Sequence, residues 1–149
     1  MLIIGGGNIA LRRVRTLLCF NFHLRIIAEN IHRDLEALAQ EYPERIDLER
    51  RQFCDGDVSP LQGESFFFVI AATNDHNINQ TISAECAGQN IPVSVASSKE
   101  ESTFYFPAIA KHDTIVAGIC SGGNDHHAVR NAAQKIRKVL ENDDNTNWQ

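Results

Sequence analysis

Residues 2–14 read "LIIGGGNIALRRV", three apolar residues running into Gly5-Gly6-Gly7 and out into a stretch with helical periodicity. A buried strand that leaves a glycine turn as a helix commits the chain to βα units, and so to parallel strands with helical crossovers. Ala10, Val14, Leu17 and Leu18 fall at i, i+4, i+7 and i+8, the stripe of a helix packed on a sheet. Gly5, Gly7 and Ala10 occupy the positions of G-x-G-x-x-G/A. In that pattern the first glycine makes the turn and the second lets backbone approach a pyrophosphate. The third small residue keeps helix and strand close. Unpaired N–H groups and the helix dipole then favour phosphate, the dipole by about 0.3–2 kcal/mol. Glycine turns also occur in α/β proteins that bind nothing. Placement at the first βα junction of an alternating chain is what points to a dinucleotide.

The alternation continues. "HLRIIAE" (23–29) reads as a second strand, and Leu35 and Leu38 mark a helix ended by Pro43. "RIDLERRQF" (45–53) alternates like a strand near a sheet edge, and "CDGDVSPLQGES" (54–65) is turn chemistry. "FFFVIAAT" (66–73) reads as a central strand buried on both faces. A helix with the stripe Ile78, Ile82 and Cys86 follows, with Thr73, Asn74 or Asp75 to cap it, and then the strand "NIPVSVAS" (90–97). These alternations predict an α/β, Rossmann-like, doubly wound parallel sheet over residues 1–100.

The pattern changes at the polar linker "SSKEES". "TFYFPAI" is aromatic and extended, "TIVAGI" (114–119) reads as a strand, and "SGGN" turns into a helix carrying Val129, Ala132, Ile136 and Leu140. Residues 101–149 therefore form a small strand-helix segment whose apolar stripe needs a surface to cover, on the parent domain or on a partner subunit. The end, "ENDDNTNWQ", reads as a frayed tail.

Composition narrows the function. With 149 residues the chain can bury about 70% of its unfolded surface and needs no staples. A net charge of −5 disfavours nonspecific binding to nucleic acid or anionic membrane. The longest apolar run, Phe66–Ala72, falls far short of the ~20 residues that span a bilayer. No leader precedes the glycines, so a cytoplasmic location is expected. Cys19, Cys54, Cys86 and Cys120 lack ligand-like spacing and read as buried thiols, and no metal site is expected. The adjacent pair His126–His127 would point about 100° apart on a helix, which suits surface or capping histidines better than a metal.

An acid after the second strand would hold the ribose hydroxyls; Glu29 lies near that place, with Ala28 where the acid more usually stands. A solvated loop glutamate is the ordinary alternative. Arg12, Arg13 and Arg15 could screen a 2′-phosphate, but arginines on an outer helix face commonly meet water. NAD is the expected cofactor.

Taken in order, "GGGNIALRRV", "FFFVIAATNDHNINQ", "NIPVSV", "FYFPAI" and "CSGGN" resemble the siroheme-synthase N-terminal family, from Leu2 to about Leu140. That family comprises precorrin-2 dehydrogenases, some also sirohydrochlorin ferrochelatases. The AAT-x-D-x-x-x-N run and the F-x-x-P-A element are its specific parts. The resemblance implies NAD held by Gly5, Gly7, Asn8 and Ile9, Glu29–Asn30 over its ribose, and Thr73, Asn74 and Asp75 near the carboxyl ends of the strands. It also implies a homodimer formed through the segment after residue 101 and a tetrapyrrole substrate. Lys99, Lys111 and Arg130 are candidates to meet the substrate's carboxylates.

The chain departs from the family in three places. The aspartate that usually follows the "VNVV"-type strand, proposed to serve dehydrogenation and chelation, is replaced by Ser97. A hydroxyl cannot act as a carboxylate base or draw a metal ion comparably. Slow dehydrogenation and still slower chelation are therefore expected, unless Asp75, Glu100, Glu101, His112, His126 or His127 substitutes. The usual Ser-Pro after the glycine pair is "NDHH", which leaves Ser121 beside glycines where a turn-forming role is ordinary. The chain is also shorter than the family pattern at both ends. Two alternatives stand beside a dehydrogenase: an NAD-binding dimer that has lost the chemistry, and a nucleotide-sensing domain of the potassium-transport regulatory type. "FYFPAI" and "CSGGN" count against the latter.

Overall fold

The computed structural model describes residues 1–59 and 66–142. These fall into two compact units, Met1–Phe104 and Tyr105–Gln149.

The first unit holds β1 (Leu2–Ile4), α1 (Asn8–Leu17), β2 (Leu24–Ile27), α2 (Arg33–Glu41), β3 (Ile46–Glu49), β4 (Val69–Ala71), α3 (His76–Gly88) and β5 (Val93–Val95). The strands form one parallel sheet in the order β3-β2-β1-β4-β5. This is the Rossmann-like arrangement expected. β1, β4 and β5 are buried along their whole length, as parallel strands with both faces covered must be. In register, Ile4 pairs with Ile27 and Ala71, Ile27 with Glu49, and Ala71 with Val95. All five strands thus end level, and the residues that follow them line one edge of the sheet.

One strand and the cysteines differ from expectation. The run from Phe66 to Thr73 contributes only Val69–Ala71 to the sheet, and Phe67 is 73% exposed. Two of its phenylalanines are used in ring contacts instead: Phe67 stacks on Phe22 at 6.2 Å, and Phe68 meets Phe104 edge-on at 5.1 Å. The chain between β3 and β4, expected as turn chemistry, carries no helix among its described residues. Val58 is wholly buried there, and Phe53 and Phe66 pack beside it on the cluster of Leu2, Ile4, Val69 and Ile82. This loop is stapled by the two-pronged Arg51–Asp57 pair and tied to α3 by Gly56 N–H donating to Glu85. Arg51 holds the Asp57 carboxyl below the usual range. Of the four cysteines only Cys86 is buried, its thiol pushed up to about 12 by desolvation; Cys19, Cys54 and Cys120 are exposed, where burial was expected. Each of the three lies on a loop or just past a helix or strand end, off every core-facing stripe.

The second unit is an antiparallel hairpin of β6 (Ala108–His112) and β7 (Ile115–Ile119), on which α4 (His126–Asn142) packs. The first hairpin strand was expected only as an extended aromatic stretch. The stripe of α4 is covered by its own hairpin: Ala133 is buried, and Val129, Ala132, Ile136 and Leu140 are half-buried. Arg137 donates to the Ile109 carbonyl. What this unit leaves exposed is a different apolar set, Ile115, Val116 and Val139. The expected tail (143–149) and part of the expected turn (60–65) lie outside the described residues.

Candidate functional site

Strand order reverses between β1 and β4, since the chain winds outward to β2 and β3 on one side and to β5 on the other. In open α/β sheets, ligands bind beyond the carboxyl ends of the strands at this switch point. The glycine turn sits there.

Each glycine of the turn has a different reason to be glycine. Gly5 has a φ of +119°, and a Cβ on it would lie 2.2 Å from the Ala72 carbonyl oxygen. A Cβ on Gly6 would lie 2.4 Å from the Asn30 carbonyl oxygen and 2.9 Å from Ala28 Cβ. These two are required by the protein's own packing. Gly7 is not: its φ is −86°, it is exposed, and a Cβ there would meet nothing within 4 Å. Open space beside the one glycine of this turn that the packing does not require is what a dinucleotide cradle needs. Gly7 is also the N-cap of α1 with no side-chain cap, and no acid stands in the first turn, so the helix amides are open to an anion. Ala10 is fully buried, as close helix–sheet packing demands.

These contacts bring the predicted residues together. The turn touches Ala72 and Thr73 after β4 on one side and Asn30 after β2 on the other. The His32 amide donates to the Gly6 carbonyl at 2.7 Å, fixing the loop that holds Glu29 and Asn30. Glu29 is exposed and accepts from Gln52 at 3.0 Å. Asn8 and Ile9 are exposed at the start of α1, Ile9 with 40% of its surface open. Arg15 is paired with Asp34 at 2.8 Å, and burial beside Arg12 lowers Arg13 to about 10.

Beyond β4, Asp75 caps α3, its carboxylate accepting from the amides of Asn77 and Ile78. Asn74 is exposed, and Thr73 is half-buried. The residue that organises this corner is Asn79, wholly buried and not among the expected site residues. Its Oδ1 accepts from the Thr73 amide at 3.2 Å and lies 2.8 Å from Thr73 Oγ1. Its Nδ2 donates to the Thr73 carbonyl at 3.2 Å and to Ser97 Oγ at 3.1 Å. Asn79 ends the AAT-x-D-x-x-x-N run, and that position inside an otherwise apolar helix stripe is the signal that could have found it. Ser97, exposed after β5, also lies 3.5 Å from His76 Nδ1. His76 is the second residue missed, hidden behind the capping role of its neighbour.

Other candidates lie in the second unit. Lys111 is on β6 and Arg130 on α4, both exposed, and His126 and His127 open α4. His112 ends β6. Ser121 Oγ accepts from the Asp125 amide at 2.9 Å, a turn-forming contact. Lys99 and Glu100 are exposed after β5.

A family model described as "Putative NAD(P)-binding" matches residues 1–108. The chain belongs to that family. NAD, expected from the glycine turn, is within the cofactor class that the family description gives. The chain is 36% identical over 140 residues to the "Probable multifunctional siroheme biosynthesis protein HemA" of Ruminiclostridium josui, covering 93% of this chain and 26% of that one. It is 38% identical over 124 residues to the siroheme synthase of Ectopseudomonas mendocina, covering 83% and 25%. It thus spans about a quarter of the length of these curated relatives. A solved structure titled "SirC, precorrin-2 dehydrogenase" superposes with a TM-score of 0.67 at 22% identity, over 98% of this chain and 65% of that one. That likeness is one of fold. The resemblance to siroheme synthases drawn from the motifs is thereby borne out. No helix among the described residues is long and apolar enough to cross a membrane.

Proposed function

We propose that this chain is an NAD-dependent, cytoplasmic dehydrogenase that oxidises precorrin-2 to sirohydrochlorin in siroheme biosynthesis. The observation that carries the cofactor part is Gly7, a glycine its own fold leaves unexplained and a pyrophosphate explains. The substrate part rests on the siroheme relatives named above. When bound, NAD supplies a hydride acceptor. The open amides at Gly7 and Asn8 would hold its pyrophosphate, with Gly5, whose own amide donates to the Ile27 carbonyl, shaping the turn beneath it; Ile9 would lie against the cofactor, and Glu29 and Asn30 would take the ribose. The choice of NAD over NADP follows from Glu29, since a carboxylate there accepts from ribose hydroxyls and repels a 2′-phosphate. Thr73 and its neighbours border the reacting end, and Lys99, Lys111 and Arg130 are assigned to the substrate's carboxylates.

The direct test is turnover of precorrin-2 with NAD, followed as NADH absorbance. Sirohydrochlorin appearing with one NADH each supports the assignment, and NAD binding without turnover removes it. A second reading, an NAD-binding protein without the chemistry, is favoured by Ser97 in the place of the family's aspartate, and that second outcome is its signature.

Residues 1–100 are assigned to cofactor binding and 101–149 to homodimerisation. The support for a dimer is the exposed set Ile115, Val116 and Val139, gathered on a small unit whose helix stripe is already covered. Light scattering at micromolar concentration is expected to give a dimer, and Ile115→Asp with Val116→Asp a monomer. A monodisperse wild-type monomer would count decisively against this assignment.

A further inference from the structure

We propose that His76, backed by Glu101, is the proton acceptor that stands in for the missing aspartate; this inference rests on the dehydrogenase reading above. Ser97 occupies the aspartate's place, but its hydroxyl is already bound by Asn79 and has no useful basicity. His76 reaches the same point in space from the start of α3, with Nδ1 3.5 Å from Ser97 Oγ. Its other nitrogen, Nε2, lies 3.6 Å from Glu101 Oε1. The imidazole is about half exposed (54%), so a substrate can touch it, whereas the Glu101 side chain is only 23% exposed.

Glu101 is held for this task. Gln80 donates to its Oε1 at 3.0 Å, Ser83 donates to its backbone carbonyl at 3.1 Å, and its amide donates to Ser98 Oγ. Its second oxygen, Oε2, is buried with no donor. A carboxylate kept partly unsatisfied beside an imidazole is poised to meet the positive charge the ring gains on taking a proton. With Nε2–H directed at Glu101, Nδ1 carries the lone pair and faces Ser97. An acid orienting an imidazole whose other nitrogen does proton chemistry is a recurring catalytic arrangement.

The step balances with NAD as the oxidant. One C–H bond of the reduced macrocycle breaks, and its electron pair leaves with hydrogen as hydride to the oxidised nicotinamide. A second bond to hydrogen gives its proton to His76 Nδ1, and its electron pair remains in the macrocycle as the new double bond. The imidazolium then releases the proton to water.

The test compares wild type, His76→Ala, His76→Gln and the double variant His76→Ala with Ser97→Asp, each with precorrin-2 and NAD. The expected result is active wild type and a kcat at least about tenfold lower in both single variants, a low bar against the 10²–10⁴ of a general base. NAD affinity by calorimetry is expected to stay unchanged. Two recoveries separate chemistry from support: dissolved imidazole should restore part of kcat to His76→Ala, and Ser97→Asp should restore it by returning the carboxylate. Single variants that keep wild-type kcat overturn the role of His76 while leaving the dehydrogenase reading intact. So does a loss that neither imidazole nor Ser97→Asp repairs. Wild type that binds NAD but never turns over precorrin-2 overturns both.

Discussion

Gly7→Val is expected to weaken NAD binding by about a hundredfold or more while the protein stays folded. The backbone at Gly7, φ −86° and ψ −166°, is one that valine adopts without strain. Its added carbons meet no protein atom at the first step, so the loss falls on the ligand. A hundredfold is about 2.7 kcal/mol, the scale of displacing a phosphate from its amides. The fold cost is limited to a poorer helix cap, about 1 kcal/mol. Gly5→Ala is the control with the opposite outcome. There the methyl would lie 2.2 Å from the Ala72 carbonyl oxygen at a φ of +119°, so the junction of β1 and β4 must shift and the domain should fail to fold. Calorimetry and thermal melting on the two variants separate a ligand glycine from a structural one. Equal NAD affinity for wild type and Gly7→Val would sink the cradle assignment.

Asn79→Ala carries the second large effect. Asn79 is wholly buried, and its amide serves the Thr73 amide, the Thr73 carbonyl and Ser97 at once. Truncation leaves two backbone groups after β4 without partners. Each such group costs about 1–3 kcal/mol, so a loss of about 2–6 kcal/mol is expected. In denaturant this should appear as a lower midpoint with an unchanged slope. Because Asn79 also ties the end of β4 to Ser97, turnover should fall further than stability at a temperature where the variant is folded. A stability change below about 0.5 kcal/mol would mean that water replaces the amide and the network is not structural.

The parallel sheet was legible in the sequence because burial on both faces leaves near-continuous apolar runs at "LII", "RII" and "VIA", separated by helical stripes. The turn was legible because its glycines sit at fixed offsets from a strand end and a buried alanine. Aromatic residues misled the strand lengths. Phe66–Phe68 has the composition of a strand, yet the rings of Phe67 and Phe68 pair with Phe22 and Phe104, partners more than thirty residues away in the chain. The α4 stripe was read correctly as apolar, but its cover is the hairpin of its own unit. Periodicity reports that a face is buried and carries no information on what buries it.

By itself, then, the chain determined which segments become strands and helices, and that a glycine turn joins the first pair. Those follow from local spacing and backbone conformation, which neighbours in sequence set. Which glycine serves the fold and which serves a ligand was decided only in three dimensions, by the carbonyls of Ala72 and Asn30 standing against Gly5 and Gly6 and by nothing standing against Gly7. The meeting of Ser97, His76, Asn79 and Glu101 was likewise decided by the sheet, which sets the ends of β4 and β5 side by side and brings together residues up to 25 positions apart.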